Sequence, residues 1–190
     1  MKIRTIFFAA LLAAVVLVSG CTQPSGDGGN LTFREEWKNC QADYDCVVTQ
    51  KGCCPCTSGG AQVGINQDYL SLWNEERAEK CGDMACPMVY ACQPGRAVCD
   101  SGKCKFITAK DLCQRLCQEV LEDGMPLENG PCISDLNWTK WDVDDWVCDV
   151  AHSPRQAVDN QPENQCETFR SGNARHFVEV GPECNFLREV

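Results

Sequence analysis

Positive charge is scarce in this 190-residue chain: 17 Lys and Arg stand against 27 Asp and Glu, a net charge of −10. That balance offers no undirected grip on DNA or RNA phosphates, so nucleic acid is not an expected partner. The longest uncharged apolar run is 13 residues, roughly 20 Å as a helix against the roughly 30 Å of a hydrocarbon slab, too short for a permanent span. A second Cys-x-x-Cys pair at zinc-knuckle spacing is missing, which disfavours a thiolate metal site at Cys53-Cys54-Pro55-Cys56. The loop Thr57-Ser58-Gly59-Gly60 lacks the Lys-Ser/Thr pair of a phosphate cradle. No Gly-x-Ser-x-Gly turn is present either. These gaps leave no expected cofactor and no expected metal. The apolar share of 44% counts every cysteine as apolar and includes a nearly all-apolar leader, so the interior left for a core is modest.

What the chain has instead is sulfur. Its 17 cysteines make up about 9% of the residues, a density typical of disulfide-stapled exported domains and foreign to cytosolic enzymes. Ten lie between residues 40 and 104: Cys40, Cys46, Cys53, Cys54, Cys56, Cys81, Cys86, Cys92, Cys99 and Cys104. Six lie between 113 and 184: Cys113, Cys117, Cys132, Cys148, Cys166 and Cys184. Both sets are even, which is compatible with eight bridges closed within two modules that meet near Thr108. Charge divides at the same place, since residues 109–190 carry 7 basic and 16 acidic side chains. A single intertwined domain would give the same totals.

The seventeenth cysteine is Cys21. Lys2 and Arg4 precede the apolar run Ile6 to Val18, and the run ends in Leu17-Val18-Ser19-Gly20-Cys21. The charged start, short apolar stretch and small residues form a signal peptide. The last five residues resemble the lipobox of prokaryotic lipoprotein precursors. That resemblance covers residues 1–21; it implies cleavage after Gly20 and diacyl or triacyl (palmitate-type) modification of Cys21. Two or more acyl chains give stable anchoring, at about 0.8 kcal/mol per buried methylene. Residues 22–30, rich in Gly, Ser and Pro, read as a flexible tether with a reach of roughly 15 to 18 Å.

In the first module, Thr32-Phe33-Arg34-Glu35 has the pattern of a capping box and predicts a short helix toward Cys40. The loop Cys40-Gln41-Ala42-Asp43-Tyr44-Asp45-Cys46 can use its two Asp for turn hydrogen bonds or, less readily, for calcium, which would need further ligands at alternating positions. The stretch Cys40, Asp43, Asp45, Cys46, Lys51-Gly52-Cys53-Cys54 is similar to part of the four-disulfide core of whey acidic protein domains. That resemblance implies protease inhibition; it spans about 15 residues, and Cys81 to Cys104 depart from the family's spacing. Residues 66–80 predict a helix with Tyr69 and Trp73 four apart on its buried stripe. Residues 97–107 predict a hairpin turning at Asp100-Ser101-Gly102.

In the acidic module, Thr108 caps a predicted helix to about Glu122 with Leu112, Cys113, Leu116, Cys117, Val120 and Leu121 on one face. The Cβ atoms of Cys113 and Cys117 sit about 5 to 6 Å apart on that face, too far for the roughly 3.8 Å of a disulfide, so each must bridge elsewhere. Trp138, Trp141 and Trp146 stand among acids and read either as core or as a surface for a protein or glycan ligand. Asp149 and His152, beside Ser153 and Arg155, form the candidate acid-base group. His176 and Glu179 fall in a strand pattern whose alternation sends them to opposite faces. Asn30 and Asn137 fit the N-glycosylation acceptor pattern.

The expected fold class is therefore small, disulfide-rich α+β: two cysteine-stapled modules with short helices and hairpins. Residues 1–20 are the signal peptide, 21–30 the tether from lipidated Cys21, 31–108 the ten-cysteine module and 109–190 the six-cysteine acidic module. The expected role is non-catalytic binding or structure, lipid-anchored on the extracytoplasmic face of the cell membrane or outer envelope. Two alternatives stand beside it: protease inhibition through the first module, and hydrolysis using His152 and Asp149 in the second.

Overall fold

The computed structural model describes residues 31–190, so Cys21, the signal peptide and the tether lie outside the described residues. Strands β1 (Cys46–Gln50) and β2 (Gln62–Asn66) pair antiparallel, as do β3 (Gly95–Asp100) and β4 (Lys103–Thr108). The β3–β4 turn is Ser101-Gly102, both at positive φ (54° and 73°), the twist a two-residue hairpin requires.

Helix α1 (Leu70–Cys81) starts later than its periodicity suggests. Residues Gln67–Tyr69 form a 3-10 turn in which Asn66 Oδ1 accepts from the Asp68 amide (2.9 Å). That turn takes Tyr69 out of α register with Trp73, so Tyr69 stacks on Trp37 (centroids 6.3 Å apart) while Trp73 packs edge-on against Phe33 and Trp37. Trp37, Ile65 and Trp73 form a small buried cluster, and Trp73 Nε1–H donates to the Gln50 carbonyl at 3.0 Å. The expected capping box at Thr32 does not form. Glu35–Lys38 is a 3-10 turn entered from Arg34, and Glu35 pairs with Lys38 instead.

Helix α2 (Ala109–Glu122) follows β4 directly, with Thr108 Oγ1 accepting from the Asp111 amide. Its buried stripe runs through Leu112, Cys113, Leu116, Cys117 and Val120; Leu121 lies outside it and is exposed. The last sheet has the order β5–β6–β7, with β5 (Trp146–Val150) parallel to β6 (His176–Val180) and β7 (Phe186–Glu189) antiparallel to it. The β5–β6 crossover contains the short helix α3 (Glu167–Arg170). One sheet face, Cys148, Val150, Val178 and Val180, packs on α2 in the main core.

Eight bridges join all sixteen cysteines of the described residues: 40–99, 46–104, 53–81, 54–86, 56–92, 113–148, 117–184 and 132–166. Each closes inside one half of the chain. Cys113 and Cys117 tie α2 to β5 and to the β6–β7 connection, as their spacing requires. Apolar packing ignores that division, because Val98 and Ile107 of the hairpin belong to the same core as α2 and the last sheet. The result is a small mixed helix and sheet fold, rich in disulfides. No helix among the described residues is long and apolar enough to cross a membrane.

Candidate functional site

Strands β5 and β6 each carry a single acid inside an apolar run, Val147-Cys148-Asp149-Val150 and Phe177-Val178-Glu179-Val180. Parallel register sets Asp149 opposite Glu179. Alternation then puts both on the face away from α2, with Val147 and Phe177. Two carboxyls side by side in a half-dry environment cannot both ionise cheaply. The arginines decide between them.

Glu179 accepts from Arg155 Nη1 (2.5 Å) and from Arg188 through Nε (2.5 Å) and Nη2 (3.2 Å). Burial pushes its carboxyl up, but the hydrogen bonds from Arg188 and Arg155 outweigh burial and hold it below the ordinary range. Asp149 receives none of this. It is 9% exposed, and the one side-chain atom within hydrogen-bonding reach is the bridged Cys166 sulfur, 3.9 Å from Oδ1. Desolvation first, and the neighbouring Glu179 charge second, push it up to about 8. At neutral pH the pair is one neutral acid beside one carboxylate.

These side chains line a cavity of about 390 Å³ with Arg155, Arg188, Phe169 and Phe177. Helix α3 forms one wall: Phe169 meets Phe177 edge to face at 5.3 Å. The Arg188 guanidinium lies over the Phe177 ring (5.0 Å), on the same side as its ion pair with Glu179. Arg170, at the end of α3, is held by Glu167 and the Pro162 carbonyl.

His152 is elsewhere. Its Nδ1 is 2.7 Å from Oδ1 of Asp159, and the amides of His152 and Gln156 donate to Oδ2 of the same carboxylate. Burial raises Asp159, yet the His152 ring, the Gln156 amide and the His152 amide together hold it below the usual carboxylate range. The ionised Asp159 therefore fixes the ring with Nδ1 as donor. His152 lines a second cleft, about 320 Å³, with Ser153, Glu183 and Asn185. The expected His152–Asp149 pairing is thus replaced by His152–Asp159, because Asp149 points from the sheet face into the arginine-lined cavity while His152 follows the strand into the crossover. Among the described residues no hydroxyl hydrogen bonds to the His152 ring.

The remaining candidates resolve locally. Asp45 Oδ2 accepts from the Gln41 and Ala42 amides, and Asp43 accepts from the Cys99 amide and from Arg96, so both anchor the turn. Two cysteine groups gather tightly, Cys40 with Cys46 and Cys104, and Cys132 with Asp135 and Cys166. Their sulfurs are in bridges and offer no thiolate. Trp141 donates from Nε1 to the Trp146 carbonyl (2.7 Å), and Trp146 stacks on His176. Trp138 is 53% exposed at a polar groove of about 480 Å³ between α2 and the β3–β4 hairpin.

Sequence reasoning picked Asp149 but missed Arg188, Phe169 and the part played by Glu179. A signal was present: two short apolar strands of matching length, each interrupted by one acid at the fourth position. Searches against protein-family models, curated proteins and solved structures find no match for this chain.

Proposed function

We propose that this is a lipid-anchored extracytoplasmic binding protein, composed of two cysteine-stapled modules that share a seam along α2. One observation carries the reading. The sixteen cysteines from Cys40 to Cys184 pair among themselves, which leaves the odd cysteine at the lipobox position without a described thiol to join. Complete pairing also fits an oxidising compartment. Closure of every bridge within one half supports the modular description, and two walled cavities on the second half, one with a buried acid and surplus guanidiniums, support binding there. Anchoring is tested by membrane fractionation and intact mass of the expressed full chain. The wild type is expected in the membrane fraction with an acyl mass increment, and Cys21→Ala is expected to lack both. A soluble wild-type chain without added mass would overturn the reading.

A second reading, hydrolysis, draws on the His152–Asp159 pair, a general base already oriented by its carboxylate. It requires His152→Ala to abolish turnover of an ester or amide substrate. Loss of an activity that survives in Asp149→Asn would favour it over binding alone.

A further inference from the structure

We propose that the cavity between the β5–β6 face and α3 binds a small organic carboxylate, a single anionic head carried on an aromatic or short aliphatic body. This deepens the binding role proposed above and rests on it.

Charge comes first. Arg155, Arg170 and Arg188 line the cavity against one ionised carboxylate, Glu179. Glu167 offsets part of the Arg170 charge, and the remainder is positive within a chain of net charge −10. A cavity of that sign on an acidic protein selects anions. Geometry narrows the choice. Arg188 spends Nε and Nη2 on Glu179, and Arg170 spends Nη1 on Glu167 and Pro162. Neither Nη1 of Arg188 nor Nη2 of Arg170 has a partner among the described residues, so each has a donor left for an incoming oxyanion. Arg188 is also steadied over Phe177, which lowers the entropy lost when a ligand arrives.

The decisive feature is Asp149. A carboxyl nine-tenths buried, lining the cavity, with the Val150 backbone amide but no hydroxyl, side-chain amide or guanidinium hydrogen-bonded to it, is costly to keep. In its neutral form it is an O–H donor aimed where the guanidiniums would hold an anion, and an acid–carboxylate hydrogen bond is among the stronger kinds. The apolar walls, Val147, Phe169, Phe177 and the 132–166 disulfide, fit a body about the size of one ring, since 390 Å³ is near the lower end of small-molecule sites.

The groups facing Asp149 are Glu179 from β6, Arg155 and Asp159 from the crossover, Arg188 from β7 and Arg170 from α3. Glu179 and Asp159 both stay ionised with Asp149 neutral. The proton on Asp149 therefore sets affinity. Below about pH 8 it donates; above, a second carboxylate confronts the ligand.

The test uses the detergent-solubilised full chain with phenylacetate, phenylacetamide and phenethylammonium as probes, followed by calorimetry and by NMR shifts of Phe169 and Phe177. Phenylacetate is expected to bind with a Kd at or below about 1 mM, to shift both rings, and to weaken about tenfold per pH unit above 8. Asp149→Asn, whose amide still donates, is expected to bind without that slope. Arg170→Gln, at the cavity rim, is expected to weaken phenylacetate several-fold, and Arg188→Gln at least tenfold. Equal or tighter binding of the amide or the ammonium probe, a flat wild-type profile from pH 7 to 10, or shifts confined to other residues would each overturn the proposal. Failure of all three probes with Cys21 acylated removes this ligand class while leaving the anchoring reading standing; failure of acylation does the reverse.

Discussion

Asp149→Asn should leave the protein nearly unchanged at about pH 4 and make it increasingly more stable than the wild type as pH rises toward mild alkali. In the unfolded chain the Asp149 carboxyl titrates near 4, whereas in the folded chain burial and Glu179 lift it to about 8. Between those two values the folded state holds one proton more than the unfolded state. Stability therefore falls as pH rises through the window from about 4 to 8 and is level beyond it. A separation of about four pH units corresponds to roughly 5 kcal/mol at full effect, a ceiling that water entry and side-chain relaxation reduce. Asparagine has nearly the same shape and no charge to desolvate. The difference between variant and wild type should accordingly be within about 1 kcal/mol at pH 4 and grow to several kcal/mol at pH 8.5.

Urea unfolding with all disulfides intact, at pH steps from 4 to 9, measures this directly through the midpoint at constant slope. Taking the difference between two proteins matters, because Asp145, Asp159 and Glu179 have folded values below normal. Their contributions are present above about pH 4 and lost in acid, so they bend both curves alike. If the two stabilities ran parallel over the whole range, Asp149 would already be ionised in the folded protein at pH 5, and the picture of one neutral acid beside one carboxylate would be wrong.

Glu179→Gln should cost about 1 to 3 kcal/mol at pH 6 by urea unfolding, less than a fully buried pair would, because Arg155 and Arg188 are 35% and 53% exposed and can turn to water. The same variant should move the upper edge of the Asp149 window to lower pH, since the second cause of its elevation is gone. Trp73→Ala is expected to lose about 3 to 5 kcal/mol, with Gln50 O deprived of its donor, and near-ultraviolet circular dichroism should register the loss of the Phe33–Trp37–Trp73 cluster. Thr108→Ala removes the α2 cap and should cost about 1 kcal/mol in a thermal or urea melt. Replacing Cys113 and Cys148 together by Ala should cost roughly 3 to 4 kcal/mol, as expected for opening a loop of separation 35.

Regular local chemistry made much of the fold readable in the sequence. Thr108 capping α2, the Ser101-Gly102 turn and the inability of Cys113 to meet Cys117 each follow from spacing alone. The readings that changed depended on neighbours distant in sequence. Thr32 lost its helix because Trp37 is drawn into a cluster with Trp73, thirty-six positions on. Tyr69 exchanged its expected partner for Trp37 once a 3-10 turn intervened. His152 met Asp159 rather than Asp149, since Asp149 lies within a strand whose alternation fixes its direction, while the crossover beyond Val150 is free to fold back.

The two faces of the β5–β6 pair carry the physical division of labour. One face contributes Cys148, Val150, Val178 and Val180 to a core closed by α2, and the 113–148 and 117–184 bridges hold that closure. With the sheet fixed from behind, its other face can tolerate groups that a small core could not otherwise stabilise: a carboxyl without a side-chain donor, a second carboxylate gripped by two arginines, and a gap beside them. Polar groups of this kind destabilise a domain unless something else supplies the stability. Here the crosslinks supply it by restricting the unfolded chain, and their contribution does not depend on what the open face presents. Moving Asp149 to the α2 side would put the same carboxyl against the apolar stripe of α2, Leu112, Cys113, Leu116, Cys117 and Val120, so its placement on the opposite face is what leaves a neutral acid lining a cavity.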